Sequence, residues 1–207
     1  MTVEHESAGS AAGVSSTKIR VVVAEDEAII RLDLIETLRS LDFDVVGECA
    51  RGDIAESVIR ELQPDIAILD VKMPGRSGIE VANALTADQV CAVVMLSAFS
   101  QRSLVEAAVE AGVYAYLIKP FQQSELAVQI EVALARYRET RDLNSEIEDL
   151  NRRLEDRVAL DRAKGRLIDQ HGLSEHDAMR FVQKAAMDQR RSVREVAEEV
   201  LAGRLLP

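Results

Sequence analysis

The 207-residue chain contains no tryptophan, and aromatic residues make up only 3% of it. Its core must therefore be built from Val, Ile, Leu and Ala. Cysteine is scarce too: Cys49 and Cys91 are the two present, both in stretches that read as strands. They suit neither a disulfide framework nor a metal cluster. No run approaches ~18 uninterrupted apolar residues, and the N-terminus lacks a basic-then-apolar signal pattern. These absences predict a cytoplasmic protein with no membrane partner. There is no Gly-rich phosphate loop of the P-loop type and no Gly-x-Ser-x-Gly elbow. His171 and His176 are five positions apart rather than the four that would share a helical face, so no zinc site is expected.

What is present is a chain with two electrostatic characters. Apolar residues make up 47% and charged residues 29%, enough for a packed core. The net charge of −11 argues against a purely electrostatic nucleic-acid binder, yet it is unevenly spread. From Arg138 onward there are 14 basic and 15 acidic residues, which leaves −10 on the N-terminal portion. Between Asn151 and Arg194 the balance is 11 basic to 7 acidic, or +4. Such asymmetry points to two jobs.

Residues 1–17, rich in Ser, Ala, Gly and Thr, read as a disordered tail. Short apolar runs then alternate with amphipathic stretches. The runs are Ile19–Ala24, Val45–Cys49, Ile66–Asp70, Cys91–Ser97 and Tyr114–Lys119. Helical patterns lie near 28–41, 53–62, 78–87 and 101–111, and a fifth begins at about Gln122. Five strand–helix units predict an α/β fold, a (βα)5 doubly wound parallel sheet with helices on both faces. Ligands of such sheets bind at the carboxyl ends of the strands.

The chemistry collects at that edge. The strands end in Glu25-Asp26, Asp70, Ser97 and Lys119. Asp is a common turn former, so Asp70 alone would say little. Carboxylates about 4 Å apart, however, repel by roughly 4 kcal/mol per pair at an effective dielectric of 20. A cluster of them needs a proton or a cation, and a hard divalent ion such as Mg²⁺ suits oxygen ligands. Cation, lysine and hydroxyl around one carboxylate would stabilise a transferring phosphoryl group, with Asp70 as nucleophile.

The stretches VVVAEDE, ILDVKMPGRSG, VVMLSA and YLIKPF stand in the order and spacing of the receiver domain of two-component response regulators, and residues 18–138 resemble that family. The resemblance implies Mg²⁺ held by Glu25, Asp26, Asp70 and the backbone carbonyl of Lys72. It implies phosphorylation of Asp70 by a sensor histidine kinase, with Ser97 and Lys119 on the phosphate. Tyr116 matches the aromatic switch position, paired with Ser97. Glu25 and Ser97 stand where Asp and Thr are commoner, and both keep the functional group. Lys72 and Phe99, each two residues past a site residue, are expected to flank the attacking water and slow hydrolysis of the acyl phosphate.

Beyond the receiver no Pro occurs from about residue 124 to 170, and no Gly until Gly165, so the fifth helix runs on. Leu143, Ile147, Leu150 and Leu154 step by four, three and four, a short heptad seam within a helical linker over 139–155. His171-Gly172 is a plausible stop. Ser174 with Asp177 and Ser192 with Glu195 have capping-box spacing and start two more helices. Residues 156–207 therefore form a small all-α three-helix domain. Its inward faces are Leu160, Ala163, Leu167 and Ile168; Ala178, Phe181, Val182, Ala185 and Ala186; and Val193, Val196, Ala197, Val200 and Leu201.

The segment from Asp161 to Leu201, with Ala163-Lys164-Gly165, Gly172, Ser174, Ala178, Ala185-Ala186 and Val196-Ala197, resembles the ANTAR domain, an RNA-binding antiterminator module. The whole chain is thus similar to phosphorylation-dependent antitermination regulators, which bind paired stem-loops in leader transcripts. Candidate RNA contacts are Arg162, Lys164, Arg166, Lys184, Arg190 and Arg191, with Arg194 adding charge nearby. Lys164 lies beside the apolar stripe, where its stem could pack while the ammonium snorkels. Two other readings stay open. Three short helices also permit a DNA-binding helix-turn-helix output. An aspartyl nucleophile with Mg²⁺ also suits a phosphatase, although Lys72 replaces the second acid two positions after Asp70. Phosphorylation could act either by unmasking the C-terminal domain or by driving homodimerisation.

Overall fold

The structure, a computed structural model, describes residues 18–98 and 102–207. The expected tail at 1–17 and Phe99 lie outside the described residues. Two compact units divide between Glu139 and Thr140.

In the first unit the apolar runs become five parallel strands, β1 (Arg20–Ala24), β2 (Asp44–Cys49), β3 (Ile66–Asp70), β4 (Ala92–Ser97) and β5 (Ala115–Ile118), in the order β2-β1-β3-β4-β5. β3 and β4 are buried at every residue, as befits strands covered on both faces. Alternation divides the core. Val21 and Val23 point towards α1 (Ala28–Ser40) and the first part of α5 (Gln123–His171), where Leu34, Leu38, Leu126 and Ile130 pack. Val22 and Ala24 point the other way, towards α2 (Gly52–Leu62), α3 (Gly78–Ala87) and α4 (Arg102–Glu110), which supply Ile59, Val81, Leu85 and Ala108. This is the expected doubly wound fold, and its strand order reverses between β1 and β3. Cys49 closes β2, whereas Cys91 stands one residue before β4; both are buried free thiols.

The second unit holds the rest of α5, then α6 (Glu175–Gln189) and α7 (Val193–Leu201). α5 stops at His171, and Gly172 follows in the left-handed region at φ 66°. Ser192 and Glu195 form a complete capping box; Ser174 accepts from the Asp177 amide without the reciprocal bond. Ala163, Leu167, Ala178, Val182, Val196 and Val200 make the core. Two expected core residues differ. Ile168 sits one position past the Ala163–Leu167 stripe and Val193 opens α7, so each is left about a third exposed.

Candidate phosphoacceptor site and nucleic-acid interface

β1 and β3 deliver three carboxylates to one point: oxygens of Glu25, Asp26 and Asp70 lie within 4.8 Å of one another. Glu25 and Asp70 are buried, while Asp26 is exposed. Lys119, carried just past β5, bridges the buried pair. Its ammonium donates to Glu25 Oε2 and, at 2.6 Å, to Asp70 Oδ1. The other Asp70 oxygen accepts the Lys72 N–H at 2.7 Å. Three carboxylates against one ammonium leave a formal charge of −2 in a mostly buried place, which a hard divalent cation offsets. The donor set therefore fits Mg²⁺.

The electrostatics are those of a coupled cluster. Burial pushes the Glu25 carboxyl above its ordinary value, against the lowering effect of Lys119, and the Asp70 charge adds to the rise. For Lys119 burial acts downward, but hydrogen bonds to Asp70 and Glu25 outweigh it and the pKa is raised. The lysine is thus held as a cation. Ser97, fully buried at the end of β4, accepts the Lys119 N–H on its carbonyl at 2.7 Å. Asp26, Glu27, Asp70, Lys72, Ser97 and Lys119 line one cleft of about 350 Å³. Tyr116 is outside that lining. It packs half-buried against the core on the α2–α4 side.

Positioning residues escaped the sequence reading. Arg31 on α1 donates to the Glu25 carbonyl at 2.7 Å and to Glu48 at 2.9 Å, fixing the turn that carries the acid pair. In the β3–α3 loop Arg76 ion-pairs with Glu56 of α2, and the Gly52 amide donates to the Pro74 carbonyl at 3.0 Å. A Cβ on Gly78 would stand 2.0 Å from the Asp70 carbonyl oxygen, and one on Gly52 1.8 Å from that of Arg76. Those two glycines allow the loop to close on the sheet. The glycines were visible in the sequence, but the arginine contacts, spanning 6 and 20 positions, have no periodic signature.

In the second unit the basic candidates separate. Lys164 is largely covered and bonded to Asp161 at 2.9 Å and Glu175 at 3.2 Å. Its ammonium is therefore engaged by carboxylates rather than led out to solvent. Arg166 donates to the Leu201 carbonyl at the end of α7 and to Gln170. Arg191 pairs with Glu199 at 2.8 Å, and Arg194 with Glu155 and Glu198. Arg162 and Lys184 are exposed and make no ion pair among the described residues, and Arg190 caps α6 in the left-handed region.

Residues 21–131 match the family described as the response regulator receiver domain. The chain belongs to the response-regulator family. Residues 148–201 match the ANTAR domain. Transcriptional regulatory protein PdtaR of Mycobacterium tuberculosis is 47% identical over 88% of this chain and 89% of its own length. DNA-binding response regulator MtrA of Mycobacterium leprae is 36% identical, but over only 56% of this chain and 52% of its own. The signal receiver domain of the putative response regulator NarL from Mycobacterium tuberculosis superposes with a TM-score of 0.53 at 31% identity, covering 58% of this chain and 97% of that one. With a receiver in front and an ANTAR domain behind, this response regulator acts as an RNA-binding antiterminator. It is a signalling protein rather than an enzyme, which removes the phosphatase reading. The similarity to MtrA is confined to about half the chain, so it gives the DNA-binding output no support. No helix among the described residues is long and apolar enough to cross a membrane.

Proposed function

We propose that Asp70 takes a phosphoryl group from a sensor histidine kinase and that this step controls binding of stem-loop RNA in leader transcripts, in the cytoplasm. In this reading residues 18–138 are the receiver, 139–155 a helical linker and 156–207 the RNA-binding domain. The observation that carries it is the bridge of Lys119 between Glu25 and Asp70 inside a three-carboxylate cluster.

Glu25, Asp26, Asp70 and the Lys72 carbonyl would hold Mg²⁺, which when bound offsets the negative charge of the incoming phosphoryl group. An Asp70 oxygen forms the new O–P bond as the P–N bond of the phosphohistidine breaks. Lys119 moves one of its donors from the carboxylate to the phosphoryl oxygens, and the Ser97 hydroxyl donates a second bond. The Ser97 shift then lets Tyr116 follow, changing the surface of α4 and α5.

Leu143, Ile147, Leu150 and Leu154, each more than half exposed on α5, offer a seam to a second copy. Short alone, it gains from a second contact, and two subunits suit two stem-loops through effective concentration. The test is incubation with radiolabelled acetyl phosphate: label should be acid-stable and base-labile, require Mg²⁺ and vanish in Asp70→Asn. Label persisting in that variant would overturn the assignment.

A further inference from the structure

We infer that the RNA-contacting surface is the outward face of α6 and its cap, with Arg180, Lys184 and Arg190 as phosphate-binding cations around the exposed Met187. The inference rests on the RNA-binding reading above and narrows it to one helix face.

Several basic candidates in this unit already have partners. Lys164, Arg191 and Arg194 hold carboxylates, and Arg166 holds the carbonyl end of α7. Removing them from those contacts would expose the partner acids and unfasten helix ends. Arg180, Lys184 and Arg190 make no side-chain hydrogen bond or ion pair among the described residues, and all three are exposed. Arg180 and Lys184 are one turn apart, and Met187 stands one turn further on.

The same face carries His176 and Gln183, also exposed, while Ala178, Val182 and Ala186 fill the buried side. Two carboxylates flank these cations: Asp177, three residues before Arg180, which accepts a bond from the Ser174 hydroxyl, and Asp188, four after Lys184.

Met187 is 79% exposed, a large apolar side chain left in solvent at the centre of a cationic face. Phe181, the aromatic residue of this unit, packs against the core and presents no stacking platform. RNA loops are bound by phosphate contacts, base-edge hydrogen bonds and apolar contact with splayed bases. Cations, an amide, an imidazole and a thioether on one face match those needs. In a chain of net charge −11, three exposed cations without an ion pair among the described residues are complementary to a polyanion.

The test uses the full chain, with and without acetyl phosphate and Mg²⁺, against a pool of tandem stem-loop RNAs with randomised loops, retained on filters over a salt series. Arg180→Gln with Lys184→Gln should weaken retention about tenfold or more and flatten the log–log salt slope by roughly 1.4 to 1.8, since each lost phosphate contact removes about 0.7 to 0.9. Met187→Glu should weaken retention as strongly. Each variant should keep wild-type helical content by circular dichroism. Lys164→Gln should instead lower the unfolding temperature and leave the slope unchanged. An unchanged affinity and slope in the double variant would overturn the inference, as would loss of duplex-DNA retention with RNA retention intact. A wild-type chain that retains no RNA in either state would overturn the RNA-binding reading itself.

Discussion

Asp70 has both oxygens engaged, one by the Lys119 ammonium and the other by the Lys72 amide, so its orientation is fixed before any phosphoryl group arrives. Orientation alone leaves the cluster's charge of −2 facing an anionic phosphoryl group, so chelating Mg²⁺ should abolish labelling of the wild type as completely as Asp70→Asn does, without altering its circular dichroism; labelling that survives chelation would contradict a role for the metal. The exposed Lys72 side chain borders the cleft, and in the proposed reading its bulk obstructs the attacking water. Lys72→Ala should shorten the half-life of the acyl phosphate several-fold, read as release of labelled phosphate, and unchanged decay would refute that role. The cysteines take no part. Burial pushes the Cys91 thiol up to about 12 and raises Cys49 as well. A thiol reagent at about pH 8 should leave both unmodified until the protein unfolds, and rapid modification of the native chain would contradict the packing described.

At the scale of elements, the helix starts carry a pH signature. Ser192 donates its backbone N–H and hydroxyl to Glu195, which holds that carboxyl below its ordinary value of 4.5. A depressed carboxyl contributes stability above the unfolded-state value and loses it as the pH falls through the folded one. The thermal stability of the C-terminal unit should fall as the pH drops below about 4.5, and Ser192→Ala should cost about 1 kcal/mol at neutral pH. An alanine variant as stable as wild type would show that the cap contributes nothing there. These caps were legible in the sequence because serine and acid stand three apart. So were the strands, whose apolar runs match the observed elements to within a residue or two. The site was legible once the topology was, since a parallel sheet brings every strand's carboxyl end to one edge. Arg31 on Glu25, Arg76 on Glu56 and Lys164 on Glu175 were not legible, because each depends on how separate elements pack. That is also why basic residues counted along the sequence overstate the surface open to RNA.

On the scale of the whole molecule, a single helix, α5, begins in the receiver and ends in the RNA-binding unit without a breaker. A change on the receiver surface thus has a covalent, helical route to the output. In the proposed reading a second copy, docked on the Leu143–Leu154 seam, transmits the change. Light scattering should show a monomer without phosphoryl donor and a dimer with acetyl phosphate and Mg²⁺, and Ile147→Asp should hold the phosphorylated chain monomeric. A phosphorylated monomer with improved RNA binding would favour unmasking over dimerisation.

The central claim is that the state of Asp70 sets RNA affinity. It is tested most directly by recovering RNAs bound in cells to the wild-type chain and titrating them at fixed salt against wild type and Asp70→Asn, each with and without acetyl phosphate. The account predicts that the phosphoryl donor tightens binding by wild type at least about tenfold, roughly 1.4 kcal/mol, and leaves the Asn variant at the level of untreated protein. Equal affinity in all four conditions would contradict it.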